Sequence, residues 1–378
     1  MILESIKIKN FRNYSELEIG FQEGTHILYG NNGQGKTNFL EAIYYLALTK
    51  SFRSSRDQNL VKHQADFFRL EGNFATRSGR KYRCAVAYSA DQGKRLQVNG
   101  ETLSRFSEHI GQIPLVLLAP SDIAISQESP GLRRQFLDIL LCQASRFYMH
   151  SLVQYKRALK QRNALLAGSA PEELLLPWDE TLAKEGAIII QKRAEAIQEL
   201  DEAVKSYYKM LSNNQGNIKL IYQPSLEIKA DDLHGAFIKA LESNRKRDFQ
   251  YGTTSVGPHR DEILFLINGK PLRVVGSQGE HKTLVISLKI AEFNYLQKVR
   301  NEPPILLFDD LFGELDARRI KSMLNTLSDI GQVFVTTTAP DFFGKMTEWR
   351  GDTRFYEISA GTLVKQEEAW QLPGPSIN

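Results

Sequence analysis

Residues 30–37 read Gly30-Asn31-Asn32-Gly33-Gln34-Gly35-Lys36-Thr37, and this stretch decides the fold. It meets GxxxxGK[ST] at every fixed position, and each of those positions has a physical task. The glycines let the backbone curl toward phosphate oxygens, Lys36 brings a point charge to the β- and γ-phosphates, and the Thr37 hydroxyl can ligate Mg²⁺. Just upstream, His26 to Tyr29 reads as a strand, and Asn38 to Leu48 downstream reads as a helix. A strand feeding a glycine-rich turn and then a helix is the context in which such a loop presents its N–H groups to a phosphate. The expectation is an α/β nucleotide-binding fold with the whole loop on ATP.

Ile305-Leu306-Leu307-Phe308-Asp309-Asp310, an apolar strand ending in two carboxylates, is the second element. P-loop chemistry needs an acidic strand end beside the loop. Asp309 is therefore expected to hold Mg²⁺, directly or through water, and Asp310 to orient an attacking water. Taken alone, such an ending is also what a core strand shows where the chain exits to solvent. Because loop and carboxylates stand toward opposite ends of the chain, one head must be assembled around an insertion. Ser277-Gln278-Gly279-Glu280-His281-Lys282-Thr283 is the third element, directly ahead of an amphipathic helix carrying Leu284, Leu288, Ala291 and Leu296. A serine and free N–H groups at a helix start form an anion site, although a serine there is also an ordinary N-cap.

Ser5 to Phe11 and Ser15 to Phe21 are expected strands. Phe68 to Thr102 alternates in short runs broken at Ser78-Gly79 and Asn99-Gly100, an antiparallel meander. Pro114 to Leu118 reads as a buried strand, and Ser129-Pro130 as a cap followed by proline at the first helical position. From about 131 to 250 the period is helical, interrupted at Pro171 and Pro177 and by a polar loop at 213–217. Strand and helix then alternate again: Glu262 to Asn268, a helix from about Lys282 to Val299, Ile305 to Phe308, a helix from Ala317, and Gln332 to Thr337. The tail after Leu372 is expected to fray. The implied layout is an ATPase lobe built from residues 1–130 and 251–378, with a helical lobe, 131–250, inserted.

At 378 residues the chain exceeds the ~250 to 300 at which one core usually splits, so two lobes are expected. A hydrophobic share of 42% and a charged share of 24% exclude disordered and fibrous classes. The net charge of +4, from 48 Lys and Arg against 44 Asp and Glu, permits a nucleic-acid partner without requiring one. Cys84 and Cys142 make neither a disulfide framework nor a CxxC, which argues against a zinc site and for a reducing compartment. No apolar run approaches the ~18 to 20 residues of a membrane span, and the N-terminus has no signal-peptide core. The expectation is a cytoplasmic protein with no membrane partner.

Five segments, in this order, resemble the bacterial RecF family of recombination mediators. They are Ile8-Lys9-Asn10-Phe11-Arg12-Asn13-Tyr14, the loop at 30–37, Ser129-Pro130-Gly131-Leu132-Arg133-Arg134-Gln135-Phe136-Leu137-Asp138, Thr254-Ser255-Val256-Gly257-Pro258-His259-Arg260-Asp261, and Phe308-Asp309-Asp310-Leu311-Phe312-Gly313-Glu314-Leu315-Asp316. The resemblance implies a P-loop ABC-type ATPase head like those of SMC proteins, with an antiparallel β subdomain and an inserted helical lobe in place of a long coiled coil. It further implies that Ser277, Gln278 and Gly279 are the signature motif, reaching the γ-phosphate held by a second subunit, so that ATP joins a homodimer. Asp310 falls where relatives commonly carry a catalytic glutamate, which is consistent with slow hydrolysis, and Glu314-Leu315-Asp316 resembles the D-loop. The chain departs from the pattern at Glu280, where a glutamine is usual, and at Thr336 to Thr338, where a switch histidine often sits and no role is assigned.

Basic residues gather at Lys50, Arg53 and Arg56, at Arg77, Arg80, Lys81 and Arg83, and at Lys156, Arg157, Lys160 and Arg162. Each group could neutralise DNA phosphates, or could be a solvated face. No base-reading motif is visible, so phosphate-dominated binding is expected. The resemblance adds duplex or gapped DNA as target, with RecR and RecA pathway proteins as partners. The alternative is an ABC-type ATPase subunit energising another process, such as transport.

Overall fold

The computed structural model describes residues 1–212, 215–226, 232–310, 330–338, 340 and 352–367. The chain divides into two compact units, one of residues 1–122 and 292–378, the other of residues 123–291. The expected D-loop Glu314-Leu315-Asp316, the helix from Ala317, part of the 213–217 loop and the tail after Leu372 lie outside the described residues.

In the first unit, β1 (Ile2–Phe11), β2 (Tyr14–Gly20), β4 (Phe67–Ala75), β5 (Lys81–Ser89), β6 (Gly93–Val98) and β7 (Glu101–Thr102) form an antiparallel sheet in the order β2-β1-β4-β5-β6-β7. The expected meander is its β4–β7 part, with turns at Ser78-Gly79 and Asn99-Gly100. Alternation explains it: Leu3, Ile6 and Ile8 of β1 are buried, as are Phe68, Leu70 and Phe74 of β4.

The second sheet of this unit contains β3 (Thr25–Tyr29), β8 (Leu115–Leu118), β12 (Ile305–Phe308), β13 (Val333–Thr337), β14 (Thr353–Ser359) and β15 (Thr362–Glu367), in the order β15-β14-β3-β13-β12-β8. All neighbouring pairs are parallel except β14–β15. Strands β3, β8, β12 and β13 are buried at every residue, as expected of parallel strands covered on both faces. Helix α1 (Lys36–Leu48) follows β3, and its Phe39, Leu40, Ile43 and Leu46 are buried. Gln332 ties the two sheets together: Leu3 N–H donates to its Oε1 at 2.7 Å, and its Nε2 donates to the Leu3 carbonyl at 3.0 Å. Hairpin β14–β15 was not anticipated from the sequence.

The second unit holds α2 (Ala124–Gln127), α3 (Pro130–Ala144), α4 (Arg146–Ala167), α5 (Leu176–Leu211), α6 (Leu233–Tyr251), α7 (Leu272–Val275) and the first part of α8 (Gln278–Arg300). Ser129 does stand at the N-cap of α3 with Pro130 following, but its side chain makes no capping bond. Pro177 opens α5 rather than interrupting it, since proline fits the first turn, where the N–H lacks an intrahelical partner. The unit is not all helix. β9 (Ile218–Gln223) pairs antiparallel with β10 (Glu262–Ile267), which also pairs with β11 (Lys270–Pro271). Strand β10 therefore belongs with the helices, and the anticipated boundary at 250/251 falls inside this unit.

Buried and half-buried ion pairs organise the unit. Arg162, fully buried, donates to Asp179 at 2.5 Å and to Asp248 at 2.7 Å. It is thus neutralised inside the protein and cannot serve a DNA phosphate as its place in a basic cluster suggested. Arg193 pairs with Asp138 at 2.8 Å and lies 3.5 Å from Asp261. Arg133 forks onto Glu262 at 2.9 and 3.0 Å, and Arg134 donates to the Asp261 carbonyl at 2.6 Å. Segments 129–138 and 254–261, two of those carrying the family resemblance, thus meet in one network. Breaking one partner of such a pair strands a buried charge, at a cost of about 3–5 kcal/mol. Among the described residues no helix is long and apolar enough to cross a membrane.

Candidate nucleotide-binding site

The loop at 30–37 leaves β3 and enters α1 through backbone angles open to glycine. Gly30, Gly33 and Gly35 have φ of 142°, 78° and 115°. Space is as restrictive as angle: a Cβ on Gly30 would lie 2.3 Å from the Ile358 carbonyl oxygen, and one on Gly35 would lie 2.7 Å from the Asn13 side chain. Asn31, Asn32 and Gly33 are exposed at the rim, while Gly35 and Lys36 are buried. Lys36 Nζ donates to the carbonyls of Gly30 at 2.7 Å and Asn31 at 2.8 Å, which folds its stem under the loop. Burial pushes this ammonium below the usual lysine range, and Asp310 and Asp309 pull it back up.

Thr37 and Asp309 stand 272 residues apart in sequence, yet Thr37 Oγ1 donates to Asp309 Oδ1 at 2.7 Å. Strand β13 makes this possible by lying between β3 and β12 with both pairings parallel, so that the loop and the carboxylates emerge at the same sheet end. Thr336, on β13, completes the cluster. Its hydroxyl donates to Asp309 Oδ1 at 2.9 Å and accepts the Asp310 N–H at 2.9 Å. Asp310 itself has a φ of 46°, a left-handed conformation uncommon for a residue with a side chain. Thr336, to which the sequence reading gave no role, thus holds the Asp309 carboxylate and the Asp310 backbone.

Two further supports escaped the sequence. Asn13 Nδ2 donates to the Gln34 carbonyl at 2.9 Å, and Asn13 Oδ1 accepts from Asn38 Nδ2 at 2.8 Å, so the β1–β2 turn braces the loop from one side. From the other side the β14–β15 turn does the same: Ala360 N–H donates to Gln34 Oε1 at 2.7 Å and Gly361 N–H to the Gln34 carbonyl at 2.8 Å. Arg12 is anchored by a two-pronged bond to the buried Glu41 of α1, both prongs at 2.8 Å. Arg53 reaches Asn38 at 2.9 Å and lies 3.9 Å from Glu41.

Ser277, Gln278 and Gly279 lie in the second unit, at the start of α8, with Ser277 and Gln278 exposed. Glu280 reaches back to Ser277, a reciprocal arrangement whose signal, Ser-x-x-Glu before an apolar helix, was legible but unread. Of the basic residues, Lys50, Arg77, Arg80 and Arg83 are exposed, and Arg77 and Arg83 pair with Glu23 and Glu71.

The family profile described as RecF/RecN/SMC N terminal domain matches residues 2–357. The DNA replication and repair protein RecF of Halalkalibacterium halodurans is 36% identical over 374 residues, covering 97% of this chain and all of that one. That of Chlorobium luteolum is 38% identical over 348 residues, covering 89% and 94%. A solved structure of the recombination mediator protein RecF with ATP, from the RecFOR pathway, superposes with a TM-score of 0.87 at 32% identity, covering 97% of each chain. A Pyrococcus furiosus Smc head domain, at 18% identity and a TM-score of 0.55, shares the fold. With its ABC-type ATPase head and these full-length relatives, the chain belongs to the RecF family of DNA replication and repair proteins.

Proposed function

We propose that the chain is an ATP-dependent DNA-binding protein of recombinational repair and replication restart. ATP joins two copies into a homodimer on duplex or gapped DNA, slow DNA-stimulated hydrolysis releases them, and RecR and the RecA recombinase are the pathway partners. The observation that carries this reading is the 2.7 Å contact between Thr37 and Asp309 beside the Lys36 cradle. Residues from both ends of the chain meet there to receive a triphosphate. In this reading the loop 30–37 wraps the phosphates, Lys36 neutralises them and Asp310 aims the attacking water. Ser277, Gln278 and Gly279 offer a second copy's γ-phosphate a hydroxyl and helix-start N–H groups.

The residues also fit Mg²⁺. Among the described residues no group of three or more His, Cys, Asp or Glu forms a cage. Thr37 and Asp309 supply two hard oxygen ligands, and phosphate and water would supply the rest, as this small cation prefers. When bound, the ion would neutralise charge on the β- and γ-phosphates. The Asp309 oxygen that would hold the ion also accepts the Thr336 hydroxyl.

ATP acts as a clamp by linkage: binding the closed dimer better than the open monomer, it shifts the population. The RecF relatives do not favour the transport alternative. Phosphate release measured with and without duplex DNA tests the proposal. Slow turnover that rises with DNA supports it, and turnover indifferent to DNA at every salt concentration rejects the DNA-coupled part.

A further inference from the structure

Helix α8 opens with a closed hydrogen-bonded box around Ser277. The Ser277 hydroxyl donates to Glu280 Oε2 at 2.9 Å and accepts the Glu280 N–H at 3.3 Å, while the Ser277 N–H donates to the same carboxylate oxygen at 2.7 Å. This is a Ser-x-x-Glu capping box, the serine at the N-cap and the glutamate at the third helical position. Both donors that Ser277 could offer a phosphate, its hydroxyl and its N–H, are therefore committed to a carboxylate.

A glutamine at 280 would close a similar box without charge. This chain places an anion there instead. The neighbouring His281 does not offset it, since its Nδ1 is tied to Ser126 Oγ at 2.9 Å and burial lowers its affinity for a proton. A phosphate oxygen bonded to the Ser277 hydroxyl would lie two hydrogen-bond lengths, within about 6 Å, of an unmoved Glu280 carboxylate, and like charges at that range repel. Ser277 is exposed and Glu280 only half-buried, so the carboxylate has solvent into which to turn.

We propose that Glu280 is a positioning residue that locks Ser277 in the nucleotide-free protomer, so that the ATP phosphate of a second copy reaches Ser277 only after the carboxylate has swung away. This rests on the contact between copies proposed above for Ser277. The lock sets the concentration of chain at which ATP produces dimers.

Sedimentation equilibrium of the full chain, with ATP and with ADP, tests it. Glu280→Gln keeps the box, because glutamine serves at that position as glutamate does. It is expected to tighten the ATP dimer about tenfold, leaving Tm and the ADP behaviour unchanged. Glu280→Ala loses cap and charge together, so its Tm should fall while its ATP dimer still tightens. A Glu280→Gln constant within twofold of the unsubstituted chain, alongside a monomeric Ser277→Arg, overturns the lock and leaves the contact between copies standing. Weaker dimers for both Glu280 substitutions also overturn it, since the carboxylate would then support the interface. If Ser277→Arg dimerises normally, the contact itself is wrong and the lock falls with it.

Discussion

Thr336→Val removes one hydroxyl from the centre of the site while keeping the shape of the side chain. The hydroxyl donates to Asp309 and accepts the Asp310 N–H, both at 2.9 Å, and the residue is fully buried. A hydrogen bond to a charged group contributes about 1.5–3 kcal/mol, and stranding a buried donor costs about 1–3 kcal/mol. The Asp310 N–H is only part-buried and Thr37 still holds Asp309, so the lower ends apply, about 2.5 kcal/mol in all. If that loss falls on the geometry that aims Asp310, hydrolysis slows about 70-fold. ATP affinity should change by less than about threefold, because Lys36 and the loop are untouched. Single-turnover hydrolysis and equilibrium nucleotide titration on the same preparation separate the two. Unchanged turnover in a folded variant would refute the role given to Thr336, and an equal loss in both assays would show that the loop itself had collapsed.

Lys36→Ala deletes the charge folded beneath the loop and should weaken ATP binding by up to about 150-fold, from a charge-assisted bond of up to about 3 kcal/mol; undiminished affinity by titration contradicts the cradle. Asp310→Asn should keep ATP bound but unhydrolysed and hold the dimer, so a rapidly cycling variant counts against its place in the reaction. Acid should destabilise the fold through two histidines, His26 and His259, whose pKa values burial lowers to about 4. The unfolded chain, with histidines near 6.5, then binds more protons than the native one between pH 6.5 and 4. Stability is full above that window and falls as pH drops through it, by about 2 kcal/mol per histidine at pH 5. Urea midpoints that stay flat from pH 7 to 5 would disprove this.

The loop, the strand Ile305–Phe308 and the carboxylates after it were legible because each motif needs one local context and the sequence supplies it. What stayed hidden depends on partners distant along the chain. Thr336 reads as an ordinary β-branched strand residue, and its role arises only from the parallel register that sets Phe308 opposite Val335. Asn13 reads as a turn residue until the loop folds against it. Arg162 looked like part of a basic run because its neutralising partners, Asp179 and Asp248, lie 17 and 86 residues further on. Strand β9 sits in a helical stretch, and its alternation acquires meaning only from β10 about forty residues later. Glu280 is the opposite case, since its capping partner is three residues away.

The account stands or falls on the nucleotide-driven self-association proposed for this head. Sedimentation velocity of the purified chain at saturating ATP, against the same sample without nucleotide, addresses it most directly. A shift from monomer to dimer that appears only with ATP is predicted. A chain that sediments as a monomer with its nucleotide site filled would contradict the account.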